Sequence, residues 1–97
     1  MLEEYDDRGN CIYERDKKGF EKWCWYDKNS NLTYFRNSDG YERRMKCNKN
    51  GDITYFKTSD GEEKWYKYDE YRYKTSIPKD EFERIEKEKI INILLSL

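Results

Sequence analysis

The side chains with chemistry to offer are carboxylates and three thiols, because the chain contains no histidine. Without His, a Ser/His/Asp or Cys/His nucleophile site cannot form, and most acid–base and zinc chemistry is excluded. The acidic residues gather as Asp6-Asp7, Asp27, Asp39, Asp60-Glu62-Glu63 and Asp69-Glu70. Paired carboxylates can cleave glycosides. Here they fall in Gly- and Asn-rich segments, where a solvated turn is the ordinary use. D-x-x-G lacks the acidic ligand count of a calcium loop, and no phosphate-cradling glycine motif occurs. Cys11, Cys24 and Cys47 are odd in number and without C-x-x-C spacing, which argues against a disulfide framework or a metal centre. They are expected as reduced, structural thiols that pack like small hydrophobes. No enzyme activity and no cofactor is expected.

Binding is then the chemistry left, and the composition supports it. Charged residues make up 42% of the chain, but 18% is aromatic, including ten Tyr, so disorder is disfavoured. Ala, Val and Gln are absent along with His, which leaves Tyr, Trp, Phe, Ile and Leu to build a core. Twenty basic against 21 acidic residues give a net charge of -1, so no global field draws the chain to nucleic acid or an anionic membrane. The apolar run 90–97 is too short to span a bilayer. A cytoplasmic protein, in the host cytoplasm if phage-encoded, is the expectation.

The elements that must position such residues repeat. Blocks of 21 residues starting at Tyr5 superimpose YDDRGNCIYERDKKGFEKWCW, YDKNSNLTYFRNSDGYERRMK and CNKNGDITYFKTSDGEEKWYK. Gly19, Gly40 and Gly61 share a column, as do Tyr13, Tyr34 and Tyr55, and as do Gly9, Ser30 and Gly51. Each block holds two turn signals separated by a Tyr-, Phe-, Trp-, Ile- and Thr-rich segment, which reads as strand, turn, strand, turn. An α+β fold is predicted over a single domain, 1–97: an antiparallel β-meander of about six strands (10–16, 20–26, 31–37, 41–47, 52–58 and 62–68). Three hairpin repeats cover 5–67, a degenerate fourth unit and linker 68–78, and one C-terminal helix 79–96 packs on one sheet face. Ser30 should either loosen its turn or pass the left-handed position to Asn29. Ser76, Ile77 and Pro78 mark the helix start, with Asp80 and Glu81 in its first turn.

Two-residue turns at Lys18-Gly19, Asp39-Gly40 and Asp60-Gly61 place Tyr13 opposite Cys24, Tyr34 opposite Met45 and Tyr55 opposite Tyr66. One face then carries Cys11, Tyr13, Cys24, Tyr26, Leu32, Tyr34, Met45, Cys47, Ile53, Tyr55, Tyr66 and Tyr68, and is given to the helix. The other carries Ile12, Thr33 and Thr54 and the candidate partner-binding residues Trp23, Trp25, Phe35, Arg44, Lys46, Phe56, Trp65 and Lys67. Large aromatics among basic side chains suit a binding hot spot, although cross-strand pairs stabilising a wet face would look the same. A three-residue turn with a Gly bulge would shift each pairing by one and exchange faces. It is set aside because it mixes Arg44 and Lys46 with Leu32 and Tyr34.

The Tyr5-Asp6 pair with Gly9, Tyr26-Asp27 with Asn31 and Leu32, and Ser59-Asp60-Gly61 resemble the tyrosine–aspartate repeats of the RHS family over residues 5–69. That family builds long arrays into shells around toxins. The resemblance implies only the hairpin architecture here, since Cys47-Asn48 departs from the signature and three units cannot enclose anything. The Lys-, Asn-, Tyr- and Ile-rich composition is similar to that of small phage and mobile-element accessory proteins, anti-CRISPR proteins included. The leading expectation is a non-enzymatic inhibitor that docks its aromatic and basic face on a larger protein or ribonucleoprotein, a nucleic-acid-handling defence effector. The alternatives are a single-stranded nucleic-acid binder, a toxin-immunity protein, or a structural hairpin module forming a homodimer through the C-terminal helix.

Overall fold

A computed structural model describes residues 1–97. The chain is an antiparallel β protein with one C-terminal helix: β1 (Leu2–Tyr5), β2 (Cys11–Arg15), β3 (Glu21–Tyr26), β4 (Leu32–Asn37), β5 (Glu42–Cys47), β6 (Ile53–Thr58), β7 (Glu63–Tyr68), β8 (Lys74–Ile77) and α1 (Lys79–Leu95). Eight strands replace the expected six or so. The additional ones are β1, whose Leu-Glu-Glu-Tyr has weak β propensity, and β8, expected as linker. By contacts the chain divides into Met1–Glu63 and Lys64–Leu97.

In the first unit, β1 to β6 neighbour one another in chain order. One turn chemistry links them all. Asp16 takes an amide bond from Gly19 on its carbonyl (3.1 Å) and gives its own N–H to Phe20 (3.0 Å). Its carboxylate accepts the N–H groups of Lys18 (2.8 Å) and Phe20 (3.0 Å). Asp6, Asp27, Asn37 and Asn48 accept the same amides two and four residues on. This is a side chain standing in for backbone, the reason Asp and Asn dominate such turns. The fourth turn residue lies in the left-handed region, as at Gly40 (φ 87°). Ser30 takes that position itself (φ 66°), correcting the expectation that its turn loosens or that Asn29 substitutes.

These are turns with a glycine bulge, so the two-residue register is overturned. Tyr13 stands opposite Trp23, not Cys24, and Tyr34 opposite Arg44, not Met45. At the other end of the strands a second irregularity acts in the opposite sense. Glu4 pairs with Tyr13 but Tyr5 with Cys11, leaving Ile12 unpaired; Thr33 and Thr54 are skipped in the same way. Thr33 and Thr54 each donate their hydroxyl to a carbonyl across the strand pair, at Trp25 and Lys46, both 3.3 Å. An unpaired residue reverses the alternation beyond it. Cys11, Leu32 and Ile53 therefore keep their expected face with Cys24, Tyr26, Met45 and Cys47. Tyr13, Tyr34 and Tyr55 move to the tryptophan side, and Phe35 and Phe56 cross to the apolar side.

The buried residues of this unit, Met45, Phe56 and Thr58, all lie on the apolar face, and Met45 and Phe56 are direct cross-strand partners. Arg43 lies over the Phe56 ring, its guanidinium carbon 4.7 Å from the centroid, and supplies a methylene stem to the same layer.

In the second unit, β7 pairs with β8 from Trp65↔Ile77 to Tyr68↔Lys74, and Ile77 is buried. Pro78 fixes an extended φ of -72° at the helix start, and Asp80 and Glu81 follow in the first turn as expected. The helix buries none of its residues. Ile90, Ile91, Ile93, Leu94 and Leu95 are 52 to 81% exposed, whereas the expected packing of the helix would bury this run. The apolar positions of its last turns point all round the axis, and no single surface could take them. No helix is long and apolar enough to cross a membrane.

Candidate functional site

Four of the sequence-derived candidates, Trp23, Trp25, Arg44 and Lys46, share the tryptophan face of β1–β6. Phe35 and Phe56 do not. Both lie on the opposite face, where Phe56 is 8% exposed and belongs to the core. Trp65 and Lys67 belong to the second unit, where they stand opposite Ile77 and Thr75, and the Lys67 ammonium is 3.2 Å from Glu81 of α1. The reversed alternation brings in residues the sequence reading gave elsewhere or passed over: Tyr13, Tyr34, Tyr55, Arg36 and Lys57.

The face is laid out in cross-strand rows. One runs Glu4, Tyr13, Trp23, Arg36, Glu42, and the next Trp25, Tyr34, Arg44, Lys57. The rings touch their neighbours in a row. The Arg36 guanidinium lies 4.7 Å from the Trp23 ring centroid, Arg44 lies 4.6 Å from Tyr34, and Lys46 lies 5.6 Å from Tyr55. Tyr13 and Trp23 are 5.7 Å apart, and Trp25 meets Tyr34 edge-on at 4.9 Å. Trp25 is 47% exposed. Pairs of this type contribute about 0.5 to 1 kcal/mol each at exposed sites.

A carboxylate fixes each tyrosine of the ladder. Tyr13 donates to Glu21 (2.5 Å), Tyr34 to Glu42 (2.7 Å) and Tyr55 to Glu63 (2.7 Å). Each acceptor raises its tyrosine's pKa, because removing the phenolic proton would set two anions side by side. The signal was present in the sequence as Tyr-x7-Glu in all three blocks, but a hydrogen bond between those positions requires the bulged register. Ser38 and Ser59 add a second bracket, each accepting an amide bond on its hydroxyl and donating its own amide to the same residue, Glu21 and Glu42.

Two shallow depressions meet at Trp25. One of about 630 Å³ is lined by Glu4, Tyr13, Glu21, Trp23 and Trp25 among others. The other, of about 460 Å³, is lined by Trp25, Tyr34, Arg36 and Arg44. Acid and base interleave on this face: Glu4 and Glu21 line the first depression, with Arg15 opposite Glu21, and Arg36 and Arg44 line the second, with Glu42 opposite Arg36. The thiols sit on the other face, half-buried and unbonded to one another. Burial raises the pKa of Cys24 and Cys47, which disfavours their reactive thiolate form. No group of three or more Cys, Asp and Glu side chains is gathered in metal-binding geometry. In sequence the chain matches no protein-family model and no curated protein.

Proposed function

We propose that the protein is a non-catalytic binding module, built from 21-residue double hairpins, that docks its tryptophan face on a larger protein. The observation that carries this reading is the occupancy of the ring faces. Arg36 covers Trp23, Arg44 covers Tyr34 and Lys46 covers Tyr55. A platform for nucleic-acid bases needs open ring faces. A strand following this surface would find Trp23, Tyr34 and Tyr55 capped and would meet Glu4, Glu21 and Glu42 among them. Protein hot spots, by contrast, are rich in Trp, Tyr and Arg held rigidly against one another. The partner class, a nucleic-acid-handling effector or ribonucleoprotein engaged by a phage-type inhibitor, rests on the Lys-, Asn-, Tyr- and Ile-rich composition alone.

The test is affinity capture from nuclease-treated bacterial lysate with the wild type and a Trp25→Ala, Arg44→Ala variant shown by its melting transition to be folded at the capture temperature. A protein retained by the wild type after nuclease treatment and lost by the variant supports the reading. Retention of nucleic acid alone, weakening as salt rises, replaces it with the single-strand binder.

A further inference from the structure

We infer that the depression bounded by Trp25, Tyr34, Arg36 and Arg44 is a receptor for one carboxylate side chain presented by an acidic segment of a partner protein. This rests on the tryptophan face being a protein-docking surface, and it names what that surface takes.

Two cations of this face lack an ion-pair partner within the chain. Arg36 stands directly opposite Glu42, the position from which a cross-strand ion pair forms most readily. The pair is not made, because Glu42 accepts the Tyr34 hydroxyl at 2.7 Å while Arg36 turns onto the Trp23 ring. Arg44 has Tyr34 on one side and Lys57 on the other, so no carboxylate faces it along its row. Neither guanidinium joins an ion pair within the chain. Both are close enough to Tyr34 for their charge to bear on its hydroxyl.

A guanidinium lying over a ring keeps its N–H edges outside the stack, and those edges fit a carboxylate in a two-point fork. Because the rings already hold Arg36 and Arg44, little side-chain freedom is left to lose on binding. Trp25, edge-on to Tyr34 and 47% exposed, offers an apolar wall to the methylenes of a glutamate or to an apolar neighbour. A single carboxylate suits the site better than a polyanion. Glu42 stands opposite Arg36, Glu21 lies past Trp23 at the hairpin end of β3, and Glu4 lies further along the Trp23 row, so successive phosphates of a nucleic-acid strand would meet like charge on leaving the site.

The test uses the full chain and three labelled probes read by fluorescence anisotropy: a short alternating Glu-Leu peptide, its Gln-Leu counterpart, and an oligodeoxythymidylate. The Glu-Leu peptide should bind about tenfold more tightly than the Gln-Leu peptide. An Arg36→Gln, Arg44→Gln variant should lose that preference while still folded at the assay temperature, its melting temperature lowered by no more than the two lost ring contacts account for. Arg36→Lys with Arg44→Lys, which keeps the charge without the fork, should retain part of it. Equal affinity for the two peptides, a preference that survives in the Gln variant, or stronger binding of the oligonucleotide would each overturn the receptor. If both peptides bind equally and Trp25→Ala abolishes binding, the receptor fails and the docking face stands. If neither peptide binds and Trp25→Ala changes no interaction in the capture experiment, both fail.

Discussion

At Tyr34 a hydroxyl, a carboxylate and two guanidiniums share one small surface, and the consequences can be measured by titration. The bond to Glu42 raises the tyrosine pKa, with Arg44 and Arg36 opposing it. A group whose pKa is raised in the folded state stabilises that state fully below its unfolded pKa, about 10 for tyrosine, and loses the contribution as pH rises through the folded value. The Tyr13, Tyr34 and Tyr55 pairs should therefore make the sheet sensitive to alkali. Glu42→Gln should bring the high-pH end of the tyrosinate absorbance titration to lower pH, and an unchanged high-pH limb would show that the bond does not persist in solution. Ser30 provides a second test. It holds φ at 66°, a conformation that costs a non-glycine residue roughly 1 to 2 kcal/mol. Ser30→Gly should relieve part of that, a gain of about 1 kcal/mol in urea unfolding, reduced by the loss of the bond the Ser30 hydroxyl accepts from Asn10 at 2.9 Å.

At the scale of elements, each turn depends on one side chain. Asn37 accepts amide bonds from Asp39 (3.0 Å) and Tyr41 (3.2 Å), and Asn37→Ala should cost about 1 to 3 kcal/mol in urea unfolding. Asp27 makes the equivalent bonds with a charge, and those backbone amides lower its pKa. The sign is then opposite to tyrosine. The contribution is present above the unfolded value near 3.9 and is lost as pH falls through the lower folded value. Asp27→Asn should narrow the stability gap between neutral and acidic solution, measured as melting temperature against pH. These turns also mark how far the sequence could be read. Turn positions and the strands from Cys11 to Tyr68 were legible because Gly, Asp and Asn mark them and the 21-residue spacing repeats them. Register was not, because Asp16-x-x-Gly19 and Lys18-Gly19 share a glycine and only the first fixes a bulge. Ile12, Thr33 and Thr54 carry no breaker signal at all, so the reversal that puts Tyr13, Tyr34 and Tyr55 among the tryptophans had no mark in residue type. Trp23, Trp25, Arg44 and Lys46 were legible as one surface because β3 and β5 alternate without interruption.

At the scale of the molecule, the question is how a chain with a net charge of -1 and so few buried side chains divides its aromatics between stability and recognition. In the β1–β6 sheet the division follows the two faces. Met45 and Phe56 are 6 and 8% exposed and partner each other directly, so truncating either removes packed volume that neighbouring strands cannot refill. Phe56→Ala should cost about 3 to 5 kcal/mol and Met45→Ala about 2 to 5, enough to unfold a small domain outright. Trp25 is 47% exposed and lies at the junction of both depressions. Trp25→Ala leaves no cavity and should cost about 1 kcal/mol, the scale of its edge contact with Tyr34. Urea unfolding of the three single variants measures the difference directly. A large loss at Trp25 together with a small one at Phe56 would mean that the faces are assigned the wrong way round. The opposite result places the stability of the sheet on the thiol side and leaves the tryptophan side free to be shaped by what it binds.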